Sequence, residues 1–238
     1  MALDFNSLHV VVTGGTGALG TAVVGLLLDQ GATCHVPCFV ESELARFPYA
    51  KSDRVQITMD VNLTDEASVT AYYSRFGNGA RLWASIHTAG GFTMGPLDTV
   101  TKDDFTKQWE LNTVTSFLCC REAVRQIRAA NTGGRVVNVT SRPGIAPVNG
   151  ANMVAYTASK AAVAAISESL GAELAPEGIW VNAVAPSIMD TPANRAAMPK
   201  ADYSKWPKVR EVAQTICFLA SPQNQSTRSG LVPVFGRS

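Results

Sequence analysis

Leu8-His-Val-Val-Val-Thr13 runs directly into Gly14-Gly15-Thr16-Gly17-Ala18-Leu19-Gly20 and then into an apolar pattern that ends near Asp29. Three consecutive valines before a glycine turn predict a buried strand, and the longer apolar stretch after the turn predicts a helix. A strand that turns sharply into a helix presents the helix's free N–H groups and positive end at the turn. Side chains at Gly14 or Gly17 would block a pyrophosphate from reaching that backbone. A tight turn whose glycines serve packing alone is the plain alternative. Placement between an opening strand and a helix favours nucleotide binding through Gly14, Thr16, Gly17, Ala18 and Leu19.

The same alternation repeats along the rest of the chain. Short β-branched runs at 32–38, 55–58, 82–87, 135–140, 179–184 and 231–234 read as strands. Helical patterns lie between them. Thr64-Asp65-Glu66 offers a hydroxyl cap with early acids. Thr101-Lys-Asp-Asp104 is a capping box in its Asp variant, opening a helix to about Ala129. Residues 154–175 and 209–220 are two more helices. This order predicts an α/β fold with a mostly parallel sheet and helices on both faces. Nothing divides the chain, so 1–238 reads as one domain. The exception is 187–207, too long for an ordinary connection and placed after a strand's carboxyl end, where ligands bind. It reads as a lid.

Of the 238 residues, 20 are Lys or Arg and 19 are Asp or Glu, a net charge of +1. That balance removes the electrostatic reason for a nucleic-acid or anionic-membrane partner. Charged residues are 16% of the chain, against roughly 25% in typical soluble proteins. The low charge fits a protein that covers part of its surface with sister subunits. Small residues across 158–172 would suit such a contact, or packing against the sheet. Cys34, Cys38, Cys119, Cys120 and Cys217 lack zinc-site spacing and read as reduced thiols in a cytoplasmic protein. His9, His35 and His87 are dispersed, so no metal is expected. No apolar run is long enough to span a bilayer.

Tyr156-Thr-Ala-Ser-Lys160 puts a phenol and an ammonium on one helix face. A free Tyr, with a pKa near 10, is a poor acid–base catalyst at neutral pH, and a neighbouring cation lowers that value. Chance pairing on a surface is the alternative. Ser141, 15 residues earlier, follows the strand at 135–140 and puts a hydroxyl at the ligand-binding edge. Asn112 falls mid-helix, where it either faces solvent or supports a water or a backbone carbonyl. At the second strand's end, where an acid would hold a ribose 2′-hydroxyl, stands Cys38. Glu41 is the nearest acid and Arg46 the nearest downstream base. With no base for a 2′-phosphate, the reading leans to NAD, with NADP as the alternative.

These residues together resemble the short-chain dehydrogenase/reductase family over nearly the whole chain. The turn is similar to the family's Thr-Gly-x-x-x-Gly-x-Gly, with Ala18 in place of the middle glycine. Asn112, Ser141, Tyr156 and Lys160 match its four catalytic positions. Asp60-Val61 resembles its adenine-contacting pair. His87-Thr88-Ala89-Gly90 stands for Asn-Asn-Ala-Gly, followed by Gly91. Pro186, Ile188 and Thr191 match the loop around the nicotinamide, with Ser187 replacing a glycine. The resemblance implies a Rossmann-type doubly wound sheet of seven strands in the order 3-2-1-4-5-6-7. It also implies an NAD(P)-dependent oxidoreductase acting on a small carbonyl, alcohol or imine substrate. Tyr156 is then the general acid/base, Lys160 the ribose ligand that depresses the Tyr156 pKa, Ser141 the substrate-oxygen donor and Asn112 the holder of a relay water. A homo-oligomer, dimer or tetramer, is implied too. Ala89-Gly-Gly-Phe92 and the stretch 190–206 resemble segments of dihydropteridine reductase, which would place Phe92, Met198 and Trp206 around the substrate. Pterin reduction, a non-catalytic nicotinamide sensor, and an epimerase or dehydratase are the competing readings.

Overall fold

The computed structural model describes residues 3–77 and 80–238. Seven strands appear: β1 (His9–Thr13), β2 (Thr33–Pro37), β3 (Val55–Thr58), β4 (Leu82–His87), β5 (Gly134–Val139), β6 (Ile179–Pro186) and β7 (Leu231–Val234). They form one sheet in the order β3-β2-β1-β4-β5-β6-β7. Every neighbouring pair is parallel. Parallel neighbours need crossover connections, and those place helices on both faces.

Strand alternation sorts the core. Val10 and Val12 point to the face covered by α1 (Ala18–Asp29) and α8 (Val209–Ala220). Val11 points the other way, toward α2 (Glu66–Tyr73) and the helix that precedes β5. All three valines are fully buried, each contributing about 1.5–3 kcal/mol by leaving water. The valine run that decides the fold is thus shared between two cores.

Three local departures from the sequence reading have physical causes. Asp65, not Thr64, caps α2 and accepts from Ser68 N at 2.6 Å. Thr64 Oγ1 instead donates to Asn62 Oδ1 at 2.8 Å. The capping box forms as expected, with Asp104 N donating to Thr101 Oγ1 and Thr101 N to Asp104 Oδ2. The helix it opens is not continuous, however. After α3 (Lys102–Trp109), a π turn over Glu110–Val114 precedes α4 (Thr115–Ala130). The extra residue in such a turn rotates the face that follows it. Third, the lid region is partly helical. Thr191 caps α7 (Pro192–Ala197) by accepting from Asn194 N at 3.1 Å, with Pro192 at the favoured first position. Asp190 at the foot of the lid is gripped by Arg195 Nη2 at 2.9 Å and Lys208 Nζ at 2.5 Å.

Candidate active site

Two hollows are prominent. The larger, about 850 Å³, lies at the amino ends of β1–β3 beside Asp4, Asn6 and Arg54, and holds none of the candidate catalytic groups. The smaller, about 310 Å³, lies at the carboxyl ends of β1–β4. Parallel sheets bind ligands at their carboxyl edge, and the candidate catalytic groups gather beside the smaller pocket.

Gly14, Thr16 and Gly17 line it, together with Cys38, Val61, Ala89 and Gly90. Gly14 has a left-handed φ of +64°, and a Cβ there would lie 2.7 Å from Ala89 N. A Cβ on Gly20 would fall 2.1 Å from Gly14 O. The turn therefore exists only with glycine at both positions, and it leaves the start of α1 bare. Ala18 is exposed at that start. Leu19 buries its side chain in the core. Asp60 is exposed, with φ +61°, and is not among the pocket-lining residues, while Val61 N donates to Cys38 O at 3.2 Å. Cys38 lines the pocket, but its thiol is turned to Val40 O at 3.4 Å.

The catalytic candidates come from three places: the end of β5, α6 and the π turn. Ser141 follows β5 and caps α5 (Arg142–Ile145), its Oγ accepting from Gly144 N at 3.1 Å. Accepting that bond leaves the hydroxyl proton for the Tyr156 oxygen or a ligand. Tyr156 and Lys160 sit one turn apart on α6 (Val154–Glu173). Lys160 is buried, and its Nζ donates to Val139 O at 2.9 Å. One carbonyl is poor compensation for a desolvated ammonium, so its pKa is pushed down to about 8. The Tyr156 phenol is raised by burial, with the Ser141 hydroxyl opposing the rise. In the free protein burial outweighs the lowering influence of the Ser141 hydroxyl.

Asn112 lies in the π turn, fully buried. Its Oδ1 accepts from Gly91 N and its Nδ2 donates to Gly91 O, both at 3.0 Å, with Ser159 Oγ at 3.1 Å from Nδ2. Of the alternatives open in sequence, the backbone-carbonyl role is the one observed. Gly90 is wedged beside it, where a Cβ would lie 2.5 Å from Asn112 Oδ1 and 3.3 Å from Lys160 Nζ. The loop after β4, the π turn and α6 thus meet at one point.

Phe92 is 59% exposed and its ring meets that of Tyr156 edge-on, with centroids 4.9 Å apart. Met198 is half-buried. Trp206 is buried and packs against Tyr203 with centroids 4.9 Å apart, so it lies in the body of the lid. Ile188 is exposed at the sheet edge, and the Thr191 hydroxyl is engaged as a cap.

Residues 8–202 match the family model described as short chain dehydrogenase. The chain belongs to the short-chain dehydrogenase/reductase family. It is therefore an NAD(P)-dependent oxidoreductase, in agreement with its relatives. It is 30% identical over 240 residues to 2,3-dihydro-2,3-dihydroxybenzoate dehydrogenase of Escherichia coli (strain K12), with 92% of each chain covered. It is 33% identical over 225 residues to cis-4-hydroxycyclohexanecarboxylate dehydrogenase of Sinomonas cyclohexanicum, covering 89% of this chain and 88% of the relative. The structure of ElxO with NADP bound matches with a TM-score of 0.87 at 22% identity, covering 96% of this chain and 97% of that one. At that identity the likeness is one of fold.

The oxidoreductase's residues suit a dinucleotide. Its glycine cradle would be filled by any Cβ, and the Lys160 ammonium has a single protein acceptor among the described residues. Among those residues no His, Cys, Asp and Glu cluster could hold a metal ion, and no helix is long and apolar enough to cross a membrane. Thr88 of the His87–Gly90 segment lines the pocket too, and so do Glu43 and Asn62, which sequence reasoning did not single out. The positions of those two depend on how the loops after β2 and β3 fold back, which no local pattern encodes.

Proposed function

We propose that the protein oxidises a cyclic secondary alcohol or reduces the matching ketone, with Tyr156 as general acid/base. The observation that carries this reading is the Tyr156 phenol, set beside the Ser141 hydroxyl at the sheet's carboxyl edge with Phe92 across its ring. When bound, the nicotinamide accepts or supplies the hydride. Tyr156 gives the proton to the substrate oxygen in reduction and takes it in oxidation. Ser141 donates to that oxygen as charge develops on it. Lys160 would hold the nicotinamide ribose. Asn112 positions the Gly91 backbone, and any relay water would rest on that frame. Pro186, Ile188 and Thr191 would border the nicotinamide, and the exposed Phe92 ring against Tyr156 would give the substrate an apolar wall. The two relatives named above carry ring alcohols in their names, which supports a ring substrate here.

A panel of cyclic secondary alcohols, ketones and quinonoid dihydropterin, followed at the reduced-nicotinamide absorbance band, tests the reading. Turnover of a ring alcohol or ketone is expected. Turnover of the dihydropterin alone would favour the pterin-reductase alternative, for which Phe92 and the lid at 190–206 speak. Dinucleotide binding without any turnover would leave the sensor reading. Exposed Phe105, Trp109 and Phe117 along α3 and α4 support a homo-oligomer, checked by light scattering. The five buried free thiols support a cytoplasmic setting.

A further inference from the structure

The pocket contains one acid that the sequence pattern does not reveal. β2 ends without the carboxylate that commonly holds the adenosine ribose, and the Cys38 thiol turns away to Val40 O. The chain then folds back in a 3₁₀ helix over Glu41–Arg46. That return brings the Glu43 carboxylate across the mouth of the pocket to accept a hydrogen bond from Thr16 Oγ1 in the glycine turn. Thr16, Phe39, Val40 and Glu43 line the same hollow. Glu43 is the single charged residue among those lining it, with no Lys or Arg present. Thr16 engages Oε2, and the described residues provide Oε1 with no donor.

We propose that Glu43 reads the adenosine ribose and selects NAD over NADP. This inference rests on the dinucleotide site described above. A pyrophosphate on the glycine turn leaves its adenosine to extend toward the end of β2. There an apolar wall of Phe39 and Val40 and one carboxylate await it. A ribose with free hydroxyls donates to that carboxylate, and charge-assisted bonds of this type are the strong ones. A 2′-phosphate meets a negative charge and no cation.

Titration calorimetry with ADP-ribose and its 2′-phosphorylated form tests the adenosine end without the nicotinamide. The wild-type protein should bind ADP-ribose about tenfold or more tightly than the 2′-phosphate. Glu43→Gln should reduce that preference to within about threefold, mainly by weakening ADP-ribose. Glu43 is exposed, so its melting temperature should match wild type. Equal or tighter wild-type binding of the 2′-phosphate would overturn the proposal, and so would a preference that survives Glu43→Gln. If neither compound nor NADH binds, the dinucleotide site itself falls, and this inference with it.

Discussion

Lys160 is a cation with little protein company in the free chain. Its ammonium is buried against one carbonyl and held down to about pKa 8. Free protein therefore loses this charge as pH rises through 8, whereas an exposed lysine keeps its charge to above 10. Ribose hydroxyl oxygens would add acceptors and restore the ammonium. Dinucleotide binding at pH 8 should then take up to about half a proton from solution. Calorimetry in two buffers of different ionisation heat measures this directly. Binding without proton exchange at pH 8 would remove Lys160 as the ribose partner. Tyr156, Lys160 and Ser141 were legible as a set, since a helical i, i+4 pair and a hydroxyl at a strand end are local patterns. The direction of the Tyr156 and Lys160 pKa shifts was not legible, because burial leads both and is set by tertiary packing.

At the scale of elements, the junction that matters is the meeting of the β4 loop, the π turn and α6. Asn112 holds both polar groups of Gly91, and Gly90 has no room for a Cβ. Gly90→Ala would push against Asn112 and the Lys160 ammonium together, so the loop must shift. The expected result is at least a tenfold loss in dinucleotide affinity, about 1.4 kcal/mol, measured by quenching of tryptophan fluorescence. Asn112→Ala leaves a backbone N–H and C=O of Gly91 unpaired, a penalty of about 1–3 kcal/mol. Chemical denaturation should show that loss, and an unchanged midpoint would mean the junction is not structural. Strands and helices were readable from their periods, as in the Val10–Val11–Val12 alternation between two cores. The π turn was not, because one extra residue in a helix leaves no mark on composition. Glu43 was missed for a related reason: its approach to Thr16 depends on a fold-back after β2 rather than on sequence distance.

Across the whole molecule, the histidines set an acid limit on stability. His35 and His87 are buried, and burial holds each near pKa 4. His87 spans a buried chain from Ser85 Oγ to Asn138 Oδ1, at 2.8 Å on each side. The folded protein keeps both imidazoles neutral down to about pH 4, while the unfolded chain takes up protons from about pH 6.5. The unfolded state then binds more protons, so stability is complete above pH 6.5 and falls as pH drops toward 4. Each histidine contributes up to about 3 kcal/mol to that loss. Thermal melts across this window should show the decline, and His87→Asn should flatten part of it. A melting temperature constant from pH 6.5 to 4.5 would contradict the assignment.

In the proposed mechanism Tyr156 carries the proton that accompanies hydride transfer. The most direct test is single-turnover hydride transfer by wild type and Tyr156→Phe, with a ring alcohol that the wild type oxidises and dinucleotide affinity measured alongside. The predicted result is a rate lowered by about 10²–10⁴ with dinucleotide affinity nearly unchanged. A Tyr156→Phe protein that transfers hydride at the wild-type rate would contradict it.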